Sequence, residues 1–181
     1  MFRSIFFIFL IFSNSALAEQ GFTSFYSPRF TLHIESTNQK SISLSPEELA
    51  TKAMSLLNET HAELTRIFKS DTNGAIELKF LSPEEFTKHT GAPEWTSAMY
   101  LKDEISIPIT PNSVKPKEMY RAIRHEYVHA FIAKLSKYRC PAWLDEGLAQ
   151  IIEGHANPIF CLLYTSPSPR DATLSRMPSS A

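Results

Sequence analysis

A chain of 181 residues, 43% hydrophobic and 20% charged, has the make-up of one ordinary globular domain with apolar material for a substantial core. Its formal net charge of −1, with the lysines and arginines scattered, excludes the basic stripe that nucleic acid or an acidic membrane surface requires. Two cysteines, Cys140 and Cys161, make no disulfide framework, and no bond between them is expected.

The N-terminal eighteen residues have the layout of a secretory signal: Arg3 supplies the positive start, Ile5 to Phe12 an apolar run, and Ala16-Leu17-Ala18 small residues before Glu19. The run is far shorter than the roughly 20 residues that a permanent bilayer helix needs. No cysteine follows the cleavage point to carry a lipid. Export to the periplasm or medium is the expectation, with no membrane association after cleavage and residues 19–160 as the folded domain.

From Arg29 to Glu35, Phe30, Leu32 and Ile34 alternate with polar neighbours, the pattern of a half-buried strand. Ser45-Pro46-Glu47-Glu48 then opens a helix, with Ser45 as N-cap, Pro46 in the first turn and Glu48 placed to close a capping box. Leu49, Ala53, Leu56, Leu57, Leu64 and Phe68 form its core stripe as far as about Lys69, and His61 is expected on the surface. A turn at Asp71 to Gly74 leads into a second strand, Ala75 to Leu81. Ser82-Pro83-Glu84-Glu85 repeats the start signal for a short helix ending near Gly91. Two short strands, Ala98 to Leu101 and Glu104 to Ile109, follow around a tight Lys102-Asp103 turn. Pro108, Pro111 and Pro116 stiffen the connector into the next helix, which begins at Pro116. That helix carries Ala122, Ile123, Ala130 and Ala133 on one side and Phe131, Ile132 and Leu135 beyond it, so it is buried on more than one face.

Within that helix stands His125-Glu126-Tyr127-Val128-His129. Histidines four residues apart lie one helical turn apart on one face, close enough to hold a single zinc ion from one side. Glu126 sits too far round the helix to join them as a ligand, yet can reach a water on the metal, which makes it a general base. A third ligand is required. After the Cys140-Pro141 break, Trp143-Leu144-Asp145-Glu146-Gly147-Leu148-Ala149 opens another helix and offers Glu146, or Asp145 if the helix is phased differently. Trp143 and Leu144 read as a core wedge at the helix start. Gly147 inside a helix costs about 1 kcal/mol relative to alanine, a cost that close approach of the two ligand helices would explain.

These two segments resemble the gluzincin metallopeptidases, most closely the peptidase MA-like domains, whose HExxH is followed by W-L-x-E-G-L-A. The resemblance covers Lys117 to Gly154. It implies a zincin-like α+β fold, a small mixed sheet packed on helices, with the HExxH helix followed by a helix bearing a glutamate ligand. It further implies His125, His129 and Glu146 as zinc ligands, Glu126 as catalytic base, Zn²⁺ as cofactor and a peptide or protein as substrate. Ile105 to Ile109 would be the edge strand that receives the substrate. A metzincin is excluded, because Ile132 and Leu135 stand where its glycine and third histidine belong. The thermolysin pattern places an aspartate where this chain has Gln150, so the partners that orient the histidines stay unassigned. An oxyanion donor is equally unassigned; Tyr100, Tyr127 and His155 qualify by type alone. His33, His89 and His155 receive no metal role. Two other functions fit the same motif: a zinc-binding structural or interaction module without catalysis, and a zinc hydrolase of a non-peptide amide.

The stretch from Cys161 to Asp171 and the ending Arg176 to Ala181 resemble a translated sequencing-adapter segment, which would make the domain C-terminally truncated after Phe160. Its Ser/Pro-rich composition equally suits a native disordered tail, and on both accounts residues 161–181 form no packed structure.

Overall fold

A computed structural model describes residues 21–36, 44–110 and 115–154. The signal segment, Pro111, His155, Cys161 and the tail lie outside those residues. Strands β1 (Phe22–Tyr26), β2 (Phe30–Glu35), β3 (Ile76–Leu81), β4 (Met99–Leu101) and β5 (Glu104–Pro108) and helices α1 (Pro46–Phe68), α2 (Pro83–Thr90), α3 (Pro116–Ser136) and α4 (Ala142–Glu153) make an α+β architecture. The five strands form one mixed sheet in the order β1-β2-β3-β5-β4, parallel from β2 through β3 to β5 and antiparallel at both margins. Among the described residues, no helix is long and apolar enough to cross a membrane.

Local chemistry explains most of the boundaries. Ser45 and Glu48 close the capping box of α1 in both directions, at 3.2 and 3.0 Å. Ser82 caps α2, and Gly91 ends it at a φ of 70°, where a β-carbon would be strained. Lys102 and Asp103 both take positive φ, the backbone of the primed two-residue turn that matches strand twist. β1 carries little apolar alternation of its own, and it is held by its antiparallel register against β2.

The core lies between one face of the sheet and the helix pair α1 and α3. Phe30, Leu32, Ile34, Leu78, Phe80, Ile105 and Ile107 project from the strands onto Leu49, Ala53, Leu57 and Leu64 of α1 and Ile123, Val128 and Phe131 of α3. Each fully buried aliphatic or aromatic side chain on α3 is worth about 1.5–3 kcal/mol, so the rotation of that helix about its axis is firmly set. A smaller cluster of Leu81, Phe86 and Ala92 covers the other face beneath α2.

Three expectations are corrected. His61 is buried rather than on the surface: it faces Tyr127 and Phe131 of α3, because the stripe of α1 that packs on α3 is wide enough to include it. The segment Ile105 to Ile109 is not an edge, since β5 pairs with β3 on one side and β4 on the other, leaving β4 outermost. Trp143 and Leu144 are exposed rather than wedged in the core, because α4 packs on α3 through Leu148, Ala149 and Ile152 instead.

Candidate metal centre

α3 and α4 are joined by a short turn in which Lys137 and Tyr138 both adopt left-handed backbone and the Ser136 hydroxyl accepts from the N–H groups of Arg139 and Cys140. The turn folds α4 back onto α3. The far end of α4 is tied down by Arg124, whose Nε donates to the Ile152 carbonyl at 2.8 Å while its other end meets Glu63 of α1. An orphan carbonyl at a helix C-terminus is thereby satisfied by a cation, the favourable polarity at that end.

With both ends pinned, one turn of α3 faces two turns of α4. His125 Nε2 and His129 Nε2 are 3.1 Å apart, and Glu146 Oε2 lies 3.8 Å from the first and 3.5 Å from the second. Donors to one tetrahedral zinc ion, each at 2.0–2.1 Å, would stand about 3.3 Å from one another. The three residues are the one group of potential metal ligands found among the described residues. Asp145, the alternative third ligand, reaches His129 Nδ1 instead of the shared point.

Each member of the group is oriented by a partner. His129 Nδ1 is 2.9 Å from Asp145 Oδ2, and His125 Nδ1 is 2.9 Å from Glu153 Oε2, whose side chain is 5% exposed. Gln150 donates from Nε2 to Glu146 Oε1 at 2.7 Å, which turns Oε2 toward the histidines. Asp145, Glu153 and Gln150 were not assigned these tasks from sequence. The seven-residue spacing of Glu146 and Glu153 was a signal that they share a face of α4, as two helical turns take up that interval.

The partners also decide the chemistry of the rings. A carboxylate accepts, so a neutral ring here carries its hydrogen on Nδ1 and presents a lone pair at Nε2. With both rings neutral, two lone pairs face each other at 3.1 Å with a carboxylate oxygen beside them, three acceptors around one point. A cation at that point turns a repulsive arrangement into a coordinating one, and the nitrogen and oxygen donors are the set zinc takes. The residues fit the metal that the sequence motif calls for.

Glu126 lies outside the group. The Tyr100 backbone N–H on β4 donates to its Oε2 at 2.8 Å, so α3 caps the free edge of the sheet there. Burial pushes the Glu126 carboxyl up to about 7, against the opposing charge of His125 and the Tyr100 hydrogen bond. His125, Glu126 and Glu146 all open on one cleft of about 690 Å³, which also takes in Trp95, Pro108, Arg121 and Glu153.

Two of the candidate oxyanion donors are accounted for otherwise. The Tyr127 hydroxyl is 2.8 Å from His61 Nδ1 within the core, and the Tyr100 hydroxyl donates to Asp103 at 3.2 Å. His155 lies outside the described residues. His33 and His89 are satisfied locally, by Ser24 at 2.8 Å and Glu104 at 2.6 Å. Gly147 has no atom within 4 Å of where a β-carbon would stand, so close helix approach does not account for it.

No protein family, curated protein or solved structure matches the chain.

Proposed function

We propose that the chain is an exported zinc-dependent metallopeptidase of gluzincin type, zincin-like in its sheet-and-helix arrangement and related to the peptidase MA-like domains. The observation that carries this is the convergence of three acceptor atoms from His125, His129 and Glu146, each oriented by its own partner, beside a cleft lined by Glu126. His125 and His129 would hold the ion through Nε2 and Glu146 through Oε2. When bound there, zinc supplies Lewis acidity, polarising a substrate carbonyl and lowering the pKa of water to about 7.

The protein's own groups do the rest. Asp145 and Glu153 keep the imidazoles in the tautomer that presents Nε2. Glu126, anchored by Oε2, takes a proton from the attacking water at Oε1 and delivers it to the nitrogen that leaves as the peptide C–N bond breaks. The hydroxyl oxygen stays on the carbonyl carbon and its remaining proton goes to the departing amine, so the products are a carboxylate and an ammonium group. A purely structural zinc site has four protein ligands and no use for a base at this position, which favours hydrolysis over a non-catalytic zinc module.

Zinc content and hydrolysis are to be compared in the wild type, Glu126→Gln and His129→Ala. The expected result is about one zinc per chain in the first two, loss of hydrolysis by about 10²–10⁴-fold in Glu126→Gln, and loss of both properties in His129→Ala. Equal activity in wild type and Glu126→Gln would overturn the catalytic assignment. Zinc bound with no peptide cleaved would leave the non-peptide amide as the substrate to screen.

A further inference from the structure

We infer that the cleft selects peptides with a basic side chain, held at a subsite made by Trp95 and Glu94; this deepens the peptidase proposal and rests on it for the identity of the cleft. The tip that carries the two residues is a tight turn, closed by the Thr96 N–H donating to the Pro93 carbonyl at 2.9 Å. It stands immediately before β4, the outer strand whose Tyr100 holds Glu126, so its place relative to the site is fixed by a short stretch of chain. Trp95 is 85% exposed, more than any other large hydrophobic side chain among the described residues, and it lines the cleft. No core contact explains an indole so displayed, and aromatic side chains presented at a concave site are the usual anchors of a bound partner.

Charge decides what the anchor takes. Glu94, Glu118, Glu126, Glu146 and Glu153 line the cleft against Lys115 and Arg121, and Arg121 is itself drawn to Glu153 at 3.4 Å. With a divalent ion at the histidines the cleft as a whole is close to neutral, and Glu94 and Glu118, outside the ligand set, are the carboxylates left to meet a basic side chain. A lysine or arginine side chain laid on the face of Trp95 gains from the negative face of the ring and from the Glu94 carboxylate that lines the same cleft, whereas an acidic side chain gains from neither.

The test measures binding of synthetic peptides to the zinc-loaded, full-length Glu126→Gln protein. In the peptides a single lysine or arginine is stepped through the sequence, with glutamate and alanine counterparts, and hydrolysis by the wild type is followed separately. Basic peptides are expected to bind about tenfold more tightly than acidic ones. Trp95→Ala should abolish the preference, Glu94→Gln should weaken it and make it less sensitive to salt, and Trp143→Ala, an exposed tryptophan off the cleft, should leave it intact. Equal affinity for basic, neutral and acidic peptides, or a preference that survives Trp95→Ala and Glu94→Gln together, overturns the subsite. Hydrolysis without charge preference sinks the subsite alone, whereas Trp95-dependent selection of basic peptides without any hydrolysis keeps it and sinks the peptidase.

Discussion

On the core side of α3, His61 of α1 spends both ring nitrogens on the protein: Nε2 donates to Asp71 at 2.9 Å and Nδ1 accepts from the Tyr127 hydroxyl at 2.8 Å. On the cleft side, His125 and His129 each give one nitrogen to a carboxylate and aim the other at a shared point. All three rings are more than four-fifths covered, and Tyr127 lies between His125 and His129 in sequence, so burial and proximity do not separate the two regions. What separates them is whether the second nitrogen finds a protein donor. A histidine saturated by neighbours is a structural hydrogen-bonding group, and one with its second lone pair turned toward other acceptors is built for a cation.

That contrast breaks first at the ligands. His125→Ala should abolish stoichiometric zinc binding, measured by metal analysis after dialysis, and a chain that keeps one tightly bound zinc would show that the ion sits elsewhere. Next come the orienting carboxylates: Asp145→Asn and Glu153→Gln should each weaken zinc binding by about 10–100-fold, read in competition with a chelating dye. If both variants bind as the wild type does, the hydrogen bonds at Nδ1 are incidental. On the core side, His61→Ala should cost about 2–3 kcal/mol in denaturant unfolding and leave the zinc stoichiometry unchanged; loss of zinc there would mean that the two faces are not independent.

The pH dependence of stability sharpens the comparison further. Burial, assisted by Arg29 and opposed by Asp71, holds His61 below its ordinary imidazole value. The unfolded chain therefore takes up a proton near pH 6.5 while the folded one resists it, so this residue's contribution is fully present above that pH and is lost as pH falls below it. The slope of unfolding free energy below pH 6.5 should be shallower in His61→Ala than in the wild type, and identical slopes would remove the buried imidazole from the account. The smallest effect belongs to α4: Gly147→Ala meets open space and should stabilise by about 0.5–1 kcal/mol. A destabilised variant would mean that the glycine serves something other than helix packing.

The elements that carry strong local signals are legible in the sequence. The Ser45 and Ser82 caps, the Lys102-Asp103 turn and the stripe of α1 depend on residues within a turn or two of each other, and the structure has them where the spacing puts them. β1 was not foreseen, since five residues with little alternation are stabilised only by the strand beside them. Sheet order was equally hidden: that β5 lies inside and β4 outside is a matter of pairing, and no residue of β5 advertises it.

At the candidate centre the division runs between single helices and pairs of helices. Helical periodicity alone put His125 and His129 on one face with Glu126 beside them, because 3.6 residues per turn is a local property of the backbone. Which residues of α4 meet them was settled by packing: the Lys137-Tyr138 turn and the Arg124 clamp set the phase of α4, and that phase sends Asp145 and Glu153 to Nδ1 and Glu146 to Nε2. Residue types and helical periodicity fix which donors are present and which face presents them. Their partners follow from packing, since hydrogen bonds between elements depend on the relative rotation of two helices, which no local interval encodes.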